Sequence, residues 1–238
     1  MNFLDCVIDA NLEILKLLES SFDEDLHLLL SKGAGGDISS KIDIVAEEIF
    51  IKHLKSFGCI YSEECGKFGD EDSEYEIIID PIDGSDNLLS HIPYFGTSVA
   101  LKKDGVNLIS IVVNLANRDI FVKDKNSFKK AKLDNLIFKN VIINNHSKVG
   151  IFERSYKSAL STLLRENDIK YRSMGAIALS LAYAHEVNFV LFEGEYRDYD
   201  IEAGLHMCED LYIKKSKNLI FVSKDKENFD KIIRIVLG

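Results

Sequence analysis

Residues 77–87 read IIIDPIDGSDN, so an apolar run ends in two carboxylates three residues apart. Isoleucine is typical of β-strands, and Pro81 and Gly84 are typical of a tight turn after a strand. Such a turn directs Asp80 and Asp83 to one side of the chain, where side chains and carbonyl groups can converge on a ligand. Hard divalent cations prefer oxygen ligands of this kind, so the stretch predicts a metal site. Taken alone, the same residues also fit an ordinary turn.

Two distant acidic segments accompany this motif. Residues 62–64 read SEE, and residues 199–204 read YDIEAG. Together the three segments resemble the inositol monophosphatase family, whose pattern is a Glu-Glu pair, then Asp-Pro-Ile/Leu-Asp-Gly-Thr/Ser-x-Asn, then Trp-Asp-x-Ala-Ala-Gly. The family also has a lysine and two aspartates in an N-terminal loop, and Lys32, Asp37 and Asp43 match that set.

The resemblance spans roughly residues 1–210 and implies a fold, a chemistry and a set of ligands. The fold is a layered α-β-α-β-α sandwich formed by a single domain, with halves at roughly 1–125 and 136–238. The chemistry is hydrolysis of a phosphate monoester by water that is activated by two or three Mg²⁺ ions. By analogy with the family, the metal ligands are Glu63, Asp80, the carbonyl of Ile82, Asp83 and Asp200, with Asp80 shared between two ions.

The resemblance also assigns residues to the nucleophilic water and to the substrate. Ser85 stands where the family usually has threonine, and its hydroxyl is expected to hold the water together with Glu63 or Asp43. The amides that follow Gly84 are expected to begin a helix, whose N-terminus is a natural anion site. The expected substrate-binding set is Lys32, Gly84, Ser85, Glu193 and Asp200.

Several of these residues allow a second interpretation. Glu63 could be a solvated acid in a turn, with Glu64 as the ligand in its place, and Asp200 could be a helix N-cap. The chain also departs from the family pattern, since Tyr199 replaces tryptophan and Glu202 replaces alanine. Glu202 is expected either to face the site, where it would alter specificity, or to lie on the exposed side of a helix.

Composition limits the class of protein. A chain of 238 residues with 46% hydrophobic and 29% charged residues can bury the core of a globular protein. A formal charge of −10 argues against general nucleic-acid binding. The four cysteines have no CxxC spacing, which argues against a zinc site or a disulfide framework and favours a reducing cytoplasm. No stretch has the length of a membrane span, so membrane insertion is not expected.

Hydrophobic periodicity predicts two helices, then a strand-rich region, then alternating helices and strands. Asp104-Gly105 predicts a hairpin turn within the strand-rich region. Residues 124–135 are rich in lysine and are expected to form a surface loop. The predicted helices cover residues 2–19, 42–57, 156–164, 176–185 and 229–236, and the predicted strands cover residues 59–62, 75–79, 97–123, 169–172, 189–192 and 219–222.

The leading functional hypothesis is a Mg²⁺-dependent phosphomonoesterase that acts on a small polyol or sugar phosphate, with inositol monophosphate as the first candidate. Fructose-1,6-bisphosphatase and 3′-phosphoadenosine 5′-phosphate phosphatase activities are alternatives on the same scaffold. An interaction module that binds the transcription machinery is an alternative of another class, although every acidic position of the family pattern is kept. The resemblance further implies a homodimer.

Overall fold

The computed structural model describes the backbone of residues 2–20, 29–32 and 38–237, and the side chains of residues 2–20 and 40–237. Asp37 and the side chain of Lys32 lie outside the described residues, so their expected roles stay predictions. The chain begins with helix α1 (Phe3–Ser20), the antiparallel pair β1 (Leu29–Lys32) and β2 (Ile38–Ser40), and helix α2 (Lys41–Leu54). Both helices match the apolar periodicity of the sequence.

The first large element is a sheet of eight strands with one short helix, α3 (Ser85–Leu89), between its strands. The sheet has the spatial order β10-β9-β8-β7-β6-β5-β3-β4 and is antiparallel except for the pair β3 and β5. Its strands are β3 (Cys59–Ser62), β4 (Gly66–Phe68), β5 (Tyr75–Asp83), β6 (Gly96–Lys103), β7 (Val106–Asn114), β8 (Asp119–Asp124), β9 (Phe128–Lys132) and β10 (Lys139–Asn140).

The turn between β6 and β7 confirms the hairpin prediction. Asp104 and Gly105 have φ of 52° and 74°, which are the left-handed values that a tight two-residue hairpin turn requires.

The prediction of a lysine-rich surface loop at residues 124–135 is wrong, because residues 128–132 form β9 against β8. Ala131 is buried in the core, and Lys130 and Lys132 both pair with the buried Asp119 of β8. The lysine side chains are therefore neutralised within the sheet, and a high lysine content does not prevent strand pairing here.

The second large element is a five-stranded mixed sheet with the order β12-β11-β13-β15-β14. Strands β11, β12 and β13 run parallel, whereas β15 pairs antiparallel with β13 and β14. The strands are β11 (Gly150–Glu153), β12 (Tyr171–Arg172), β13 (Val190–Glu193), β14 (Tyr212–Ser216) and β15 (Leu219–Ser223), and the helices are α4 (Leu160–Glu166), α5 (Ile177–Ala182), α6 (Asp198–Met207) and α7 (Lys226–Leu237).

Four buried clusters arrange these elements in five layers. Helices α1 and α2 pack on one face of the eight-stranded sheet, through residues such as Val7 and Phe50. Helices α5 and α6 pack on its other face through Leu179 and Met207, and on the five-stranded sheet through Leu181 and Ile201. Helices α4 and α7 cover the outer face of that second sheet. The predicted α-β-α-β-α sandwich is therefore confirmed.

Each of the two large sheets is formed by one continuous stretch of the chain, since the last strand of the first sheet ends at Asn140 and the first strand of the second sheet begins at Gly150. The division into halves at about residues 125–136, and their unity as a single domain, stay predictions. None of the helices within the described residues has the length and apolarity to cross a membrane.

Candidate active site

Three carboxylates from three different elements meet at one end of the eight-stranded sheet. Glu63, Asp80 and Asp200 each place a carboxylate oxygen within 4.8 Å of the others. Strands β3 and β5 are parallel and pair Ser62 with Ile79, so the residues that follow, Glu63 and Asp80, lie side by side. Asp200 enters from the first turn of α6. Within the described side chains, this is the one acidic group close enough to hold a metal ion.

Strand β5 continues through Pro81 because it bulges there. Asp80 pairs with Ser98 and Asp83 pairs with Gly96, so three steps on β5 oppose two steps on β6. The extra residue disrupts the hydrogen-bond ladder locally, and a proline without an N–H group is tolerated at such a point. Ile82 lies in this bulge with its side chain buried, and the role of its carbonyl as a metal ligand stays a prediction.

Asp80 is the most buried of the three acids. It is 3% exposed, and burial raises its pKa well above the ordinary value, with Glu63, Asp83 and Asp200 adding to the rise. Its Oδ1 atom is buried without a hydrogen-bond partner. Buried polar atoms almost always have a partner, so a bound cation is the natural complement of this oxygen.

Asp43 shows the same feature nearby. Its Oδ2 atom accepts hydrogen bonds from the N–H and the hydroxyl of Ser40, at 2.8 and 2.7 Å, while Oδ1 is buried and unpartnered. Burial raises the pKa of Asp43, and the charge of the exposed Asp86 adds to the rise. An all-carboxylate donor set with unsatisfied oxygens fits a hard divalent cation such as Mg²⁺.

Asp83 lies beside this group but is held differently. Its Oδ2 atom accepts a hydrogen bond of 2.8 Å from the backbone N–H of Leu179 in α5. Burial raises its pKa well above the ordinary value, and the charges of Glu153 and Asp200 contribute. One of its oxygens is therefore engaged, and its role as a ligand stays a prediction.

Arg197 is a site residue that the sequence reasoning missed. Its Nη2 atom lies 2.6 Å from Glu63 Oε1 and 3.3 Å from Asp200 Oδ1. The N-cap of α6 is Arg197 rather than Asp200, whose carboxylate accepts the Arg197 backbone N–H at 2.9 Å. A basic residue three positions before the expected ligand Asp200 was the available signal.

The contacts of Arg197 and Asp200 bear on two of the open interpretations. The pairing of Glu63 with Arg197 and its proximity to Asp80 place Glu63 in the acidic group rather than in a solvated turn. The Asp200 carboxylate caps the first turn of α6 and also lies in the acidic group, and its role as a metal ligand stays a prediction.

The two departures from the family pattern in residues 199–204 have different outcomes. Tyr199 lies against the acidic group, and burial raises its pKa to about 12, so its phenol is neutral at physiological pH. Glu202 pairs with Lys102 at 2.7 Å and accepts a hydrogen bond from Asn107 at 3.0 Å. Glu202 is therefore directed at the eight-stranded sheet, and the expectations that it faces the site or solvent are both wrong.

The expected phosphate side of the site is built by close backbone contacts. Gly84 has φ of 88° and precedes Ser85, the first residue of α3. A Cβ atom at Gly84 would lie 3.0 Å from the Cβ of Ala176, and the left-handed backbone disfavours other residues, so a side chain at this position would be strained. Asn87 Nδ2 donates hydrogen bonds to the carbonyls of Tyr94 and Met174, at 2.7 and 2.6 Å, and holds the loop before α5 next to α3.

Two glutamates lie at the carboxyl ends of the neighbouring parallel strands β11 and β13. Glu193, an expected substrate-binding residue, ends β13 half-buried and accepts a hydrogen bond from the hydroxyl of Ser158. Glu153 ends β11, is 2% exposed, and accepts the N–H of Gly175 at 2.7 Å and the hydroxyl of Ser180 at 2.5 Å. Burial raises the pKa of Glu153. The sequence analysis missed this residue because no motif surrounds it.

The five layers and the buried carboxylates define the class of protein as a layered sandwich with an acidic centre that is able to hold a metal ion. The chain belongs to the inositol monophosphatase family, whose model matches residues 2–211. This family consists of metal-dependent phosphatases, and the acidic group formed by Glu63, Asp80 and Asp200 is able to hold a metal ion.

Individual relatives carry several names. A bifunctional NADP phosphatase/NAD kinase of Methanocaldococcus jannaschii is 30% identical over 63% of this chain and 33% of its own length. An inositol-1-monophosphatase of Caulobacter vibrioides is 26% identical over 86% of this chain and 85% of its own length. A solved inositol monophosphatase-fructose 1,6-bisphosphatase superposes with a TM-score of 0.82 at 22% identity, covering 99% of this chain and 100% of that one. The chain spans 33 to 59% of the length of the first four curated relatives that it matches.

Proposed function

We propose that this protein is a Mg²⁺-dependent phosphomonoesterase that acts on a small polyol or sugar phosphate, with inositol monophosphate as the first candidate. The observation that carries the proposal is the convergence of Glu63, Asp80 and Asp200 within 4.8 Å, with Asp80 Oδ1 buried and unpartnered. Membership of a phosphatase family supports the same conclusion.

Two or three Mg²⁺ ions would bind at this group, the first at Glu63, Asp80 and the carbonyl of Ile82, and the second at Asp80, Asp83 and Asp200. When bound, these ions supply positive charge to the phosphate and the leaving oxygen, and lower the pKa of a bound water. The hydrogen bond from Leu179 to Asp83 Oδ2 leaves the other oxygen of Asp83 for this purpose. Arg197 would then keep Glu63 and Asp200 oriented through its guanidinium group.

The chain itself would position the nucleophilic water and the substrate. Glu63 and Asp43 are carboxylates able to accept a proton from water, and Ser85 offers a hydroxyl where the chain enters α3. Burial raises the pKa of Asp43 above its ordinary value in the metal-free protein.

The substrate would lie between α3 and the ends of the strands of the second sheet. Lys32 and the amides of Gly84 and Ser85 would contact the phosphate, and Glu193 and Asp200 would accept hydrogen bonds from hydroxyls of the polyol. The hydrogen bond from Ser158 fixes the Glu193 carboxylate at the end of β13, which supports a positioning role.

Two further phosphatase activities are kept as candidates. The similarity to a solved inositol monophosphatase-fructose 1,6-bisphosphatase favours fructose 1,6-bisphosphate as a second substrate. The similarity to an NADP phosphatase/NAD kinase favours phosphorylated nucleotides, including 3′-phosphoadenosine 5′-phosphate. An interaction module for the transcription machinery is the alternative of another class, and in that case Asp83→Asn would leave the biological function intact.

The test is phosphate release with and without Mg²⁺ from inositol 1-phosphate, fructose 1,6-bisphosphate, NADP and 3′-phosphoadenosine 5′-phosphate. We expect Mg²⁺-dependent turnover that Asp200→Asn abolishes. Asp104→Asn is the matched control, because Asp104 is exposed in the hairpin turn between β6 and β7. Turnover that is independent of Mg²⁺, or that survives in Asp200→Asn, would contradict the proposed site.

A homodimer remains a prediction from the family resemblance, and a cytoplasmic location remains a prediction from the cysteine pattern. Sedimentation of the purified protein tests the first, and fractionation of cells tests the second.

A further inference from the structure

A buried hydrogen-bond network joins the second sheet to the acidic site, and Glu153 lies at its centre. Glu153 is 2% exposed at the carboxyl end of β11, and it has no role in the mechanism proposed above. Glutamate is rarely buried to this extent unless its carboxylate is paired, because an unpaired charge in the interior costs free energy. The partners of Glu153 therefore indicate what its carboxylate does in the fold.

The two oxygens of Glu153 hold one helix at two points. Oε2 accepts the backbone N–H of Gly175, just before α5, at 2.7 Å, and Oε1 accepts the hydroxyl of Ser180, within α5, at 2.5 Å. The hydroxyls of Ser180 and Tyr94 lie 3.2 Å apart, so the network continues into the segment between α3 and β6. Rotation of α5, or its movement along its axis, would leave a buried oxygen of Glu153 without a partner. Glu153 therefore fixes α5 relative to β11.

The residue before Ser180 contacts the acidic site. The N–H of Leu179 donates a hydrogen bond of 2.8 Å to Asp83 Oδ2. Leu179 is the third residue of α5, and an N–H group in the first turn of a helix has no acceptor within the helix. Because Leu179 and Ser180 are adjacent in α5, the bonds of Glu153 determine where the Leu179 N–H points. The orientation of Asp83 thus depends on a carboxylate of the other sheet.

Helix α3 holds the loop before α5 from its other side. Asn87 Nδ2 donates a hydrogen bond to the carbonyl of Met174, and a Cβ atom at Gly175 would lie 3.0 Å from the same Nδ2 atom. Gly175 is therefore closely packed between Glu153 and Asn87. A displacement of Glu153 would move this loop against α3, next to the expected phosphate side of the site.

We propose that Glu153 is a positioning residue of the active site, which holds α5 so that the Leu179 N–H orients the Asp83 carboxylate toward the bound metal. The inference rests on the proposed function, because it takes Asp83 as a metal ligand. Hydrogen-bond partners of metal ligands orient them, and loss of such a partner typically lowers metal affinity about 10- to 100-fold. Glu153 acts one step further from the metal, through α5, so we expect a loss near the lower end of that range.

The first experiment measures the position of α5 in the metal-free protein, without turnover. Hydrogen exchange of single amides is followed by NMR in the wild type, Glu153→Gln and Ser180→Ala. We expect the Leu179 amide to exchange about ten-fold faster in both variants, since its bond to Asp83 opens locally. The amide of Ile14 in α1 should not exchange faster, which distinguishes lost positioning from a general loss of stability.

Glu186→Gln is the matched control, because Glu186 lies beyond the other end of α5 and pairs with Lys130 at 2.8 Å. The Leu179 amide should exchange at the wild-type rate in this variant. An unchanged Leu179 rate in both Glu153→Gln and Ser180→Ala, or an equal rise at Ile14, would overturn the proposal.

The second experiment separates this inference from the proposed function. In calorimetric titration, the Mg²⁺ affinity should be about ten-fold lower in Glu153→Gln and Ser180→Ala than in the wild type, and unchanged in Glu186→Gln. Wild-type affinity in both variants, with Mg²⁺-dependent turnover in the wild type, would refute the positioning role and leave the phosphatase standing. Lower affinity in both variants, without turnover of any ester by the wild type, would support the positioning role and refute the proposed phosphatase. A wild type that does not bind Mg²⁺ would overturn both.

Discussion

Replacing Asp80 by asparagine should stabilise the metal-free protein and abolish the proposed activity. The Asp80 carboxylate is 3% exposed and lies within 4.8 Å of oxygens from Glu63 and Asp200. At an effective dielectric constant of about 20, two unit charges 4.8 Å apart repel by about 3 kcal/mol. Arg197 pairs with Glu63 and Asp200 and offsets part of this repulsion. We therefore expect Asp80→Asn to raise the free energy of unfolding without metal by about 1 to 3 kcal/mol.

The sign of the pH dependence follows from the raised pKa of Asp80. The folded protein favours the protonated carboxyl, so the stability linked to this group is complete below its ordinary pKa and is lost as the pH rises through the raised value. Asparagine does not ionise. The advantage of Asp80→Asn over the wild type should therefore grow with pH.

Urea unfolding in EDTA and in excess Mg²⁺, followed by circular dichroism, measures both effects. Mg²⁺ should stabilise the wild type and have little effect on Asp80→Asn, since a ligand stabilises only the state that binds it. Phosphate release should fall by about 10³-fold or more, because metal activation supplies several kcal/mol. Asp104→Asn should match the wild type in each assay. Destabilisation of Asp80→Asn in EDTA would refute the electrostatic reasoning. Near-normal turnover of Asp80→Asn would refute the proposed role of Asp80 in holding the metal.

Three further changes test the surroundings of the acidic group. Gly84→Ala should lower the free energy of unfolding by about 1–3 kcal/mol in urea titrations, because Gly84 has φ of 88° and its new Cβ would meet Ala176 at 3.0 Å; wild-type stability would contradict this. Burial raises the pKa of Glu153 from 4.5, so in the wild type this group makes the free energy of unfolding fall as the pH rises above 4.5 and the carboxyl ionises. Glu153→Gln should make that fall less steep, because glutamine does not ionise. An unchanged pH profile of thermal unfolding would argue against this prediction. Glu202→Gln should leave the Mg²⁺ affinity unchanged in calorimetric titration, because Glu202 pairs with Lys102 away from the site; a large loss of affinity would place Glu202 in the site after all.

Elements with strong local signals were predictable. The periodicity of α1 and α2 shows which face of each helix is buried, and Asp104-Gly105 encodes its own hairpin turn. Strand β9 was missed because its pairing depends on Asp119, which lies in another strand and neutralises the lysines. Strand β4 was also missed, because three residues carry too little periodicity to be recognised.

The residues of the candidate site likewise include some that were predictable from the sequence and some that were not. The Asp80 to Asp83 motif follows from one stretch of sequence, whereas Glu63 and Asp200 were connected to it by the family resemblance. Glu153 belongs to no motif, and Arg197 has only its position three residues before Asp200 as a signal. The distances to Gly175 and Glu63 show what each of them contacts.

The sequence by itself determined the family, the layered fold and the acidic residues that the fold brings together, because strand and turn preferences and a spaced motif are properties of short stretches of chain. Only the tertiary structure decided that Arg197 pairs with two of those acids and that Glu202 turns to the sheet. Apart from the pair of Arg197 with Asp200, these relations join residues 100 or more positions apart. Their geometry is set by the register of β3 with β5 and by the placement of α6 over the sheet.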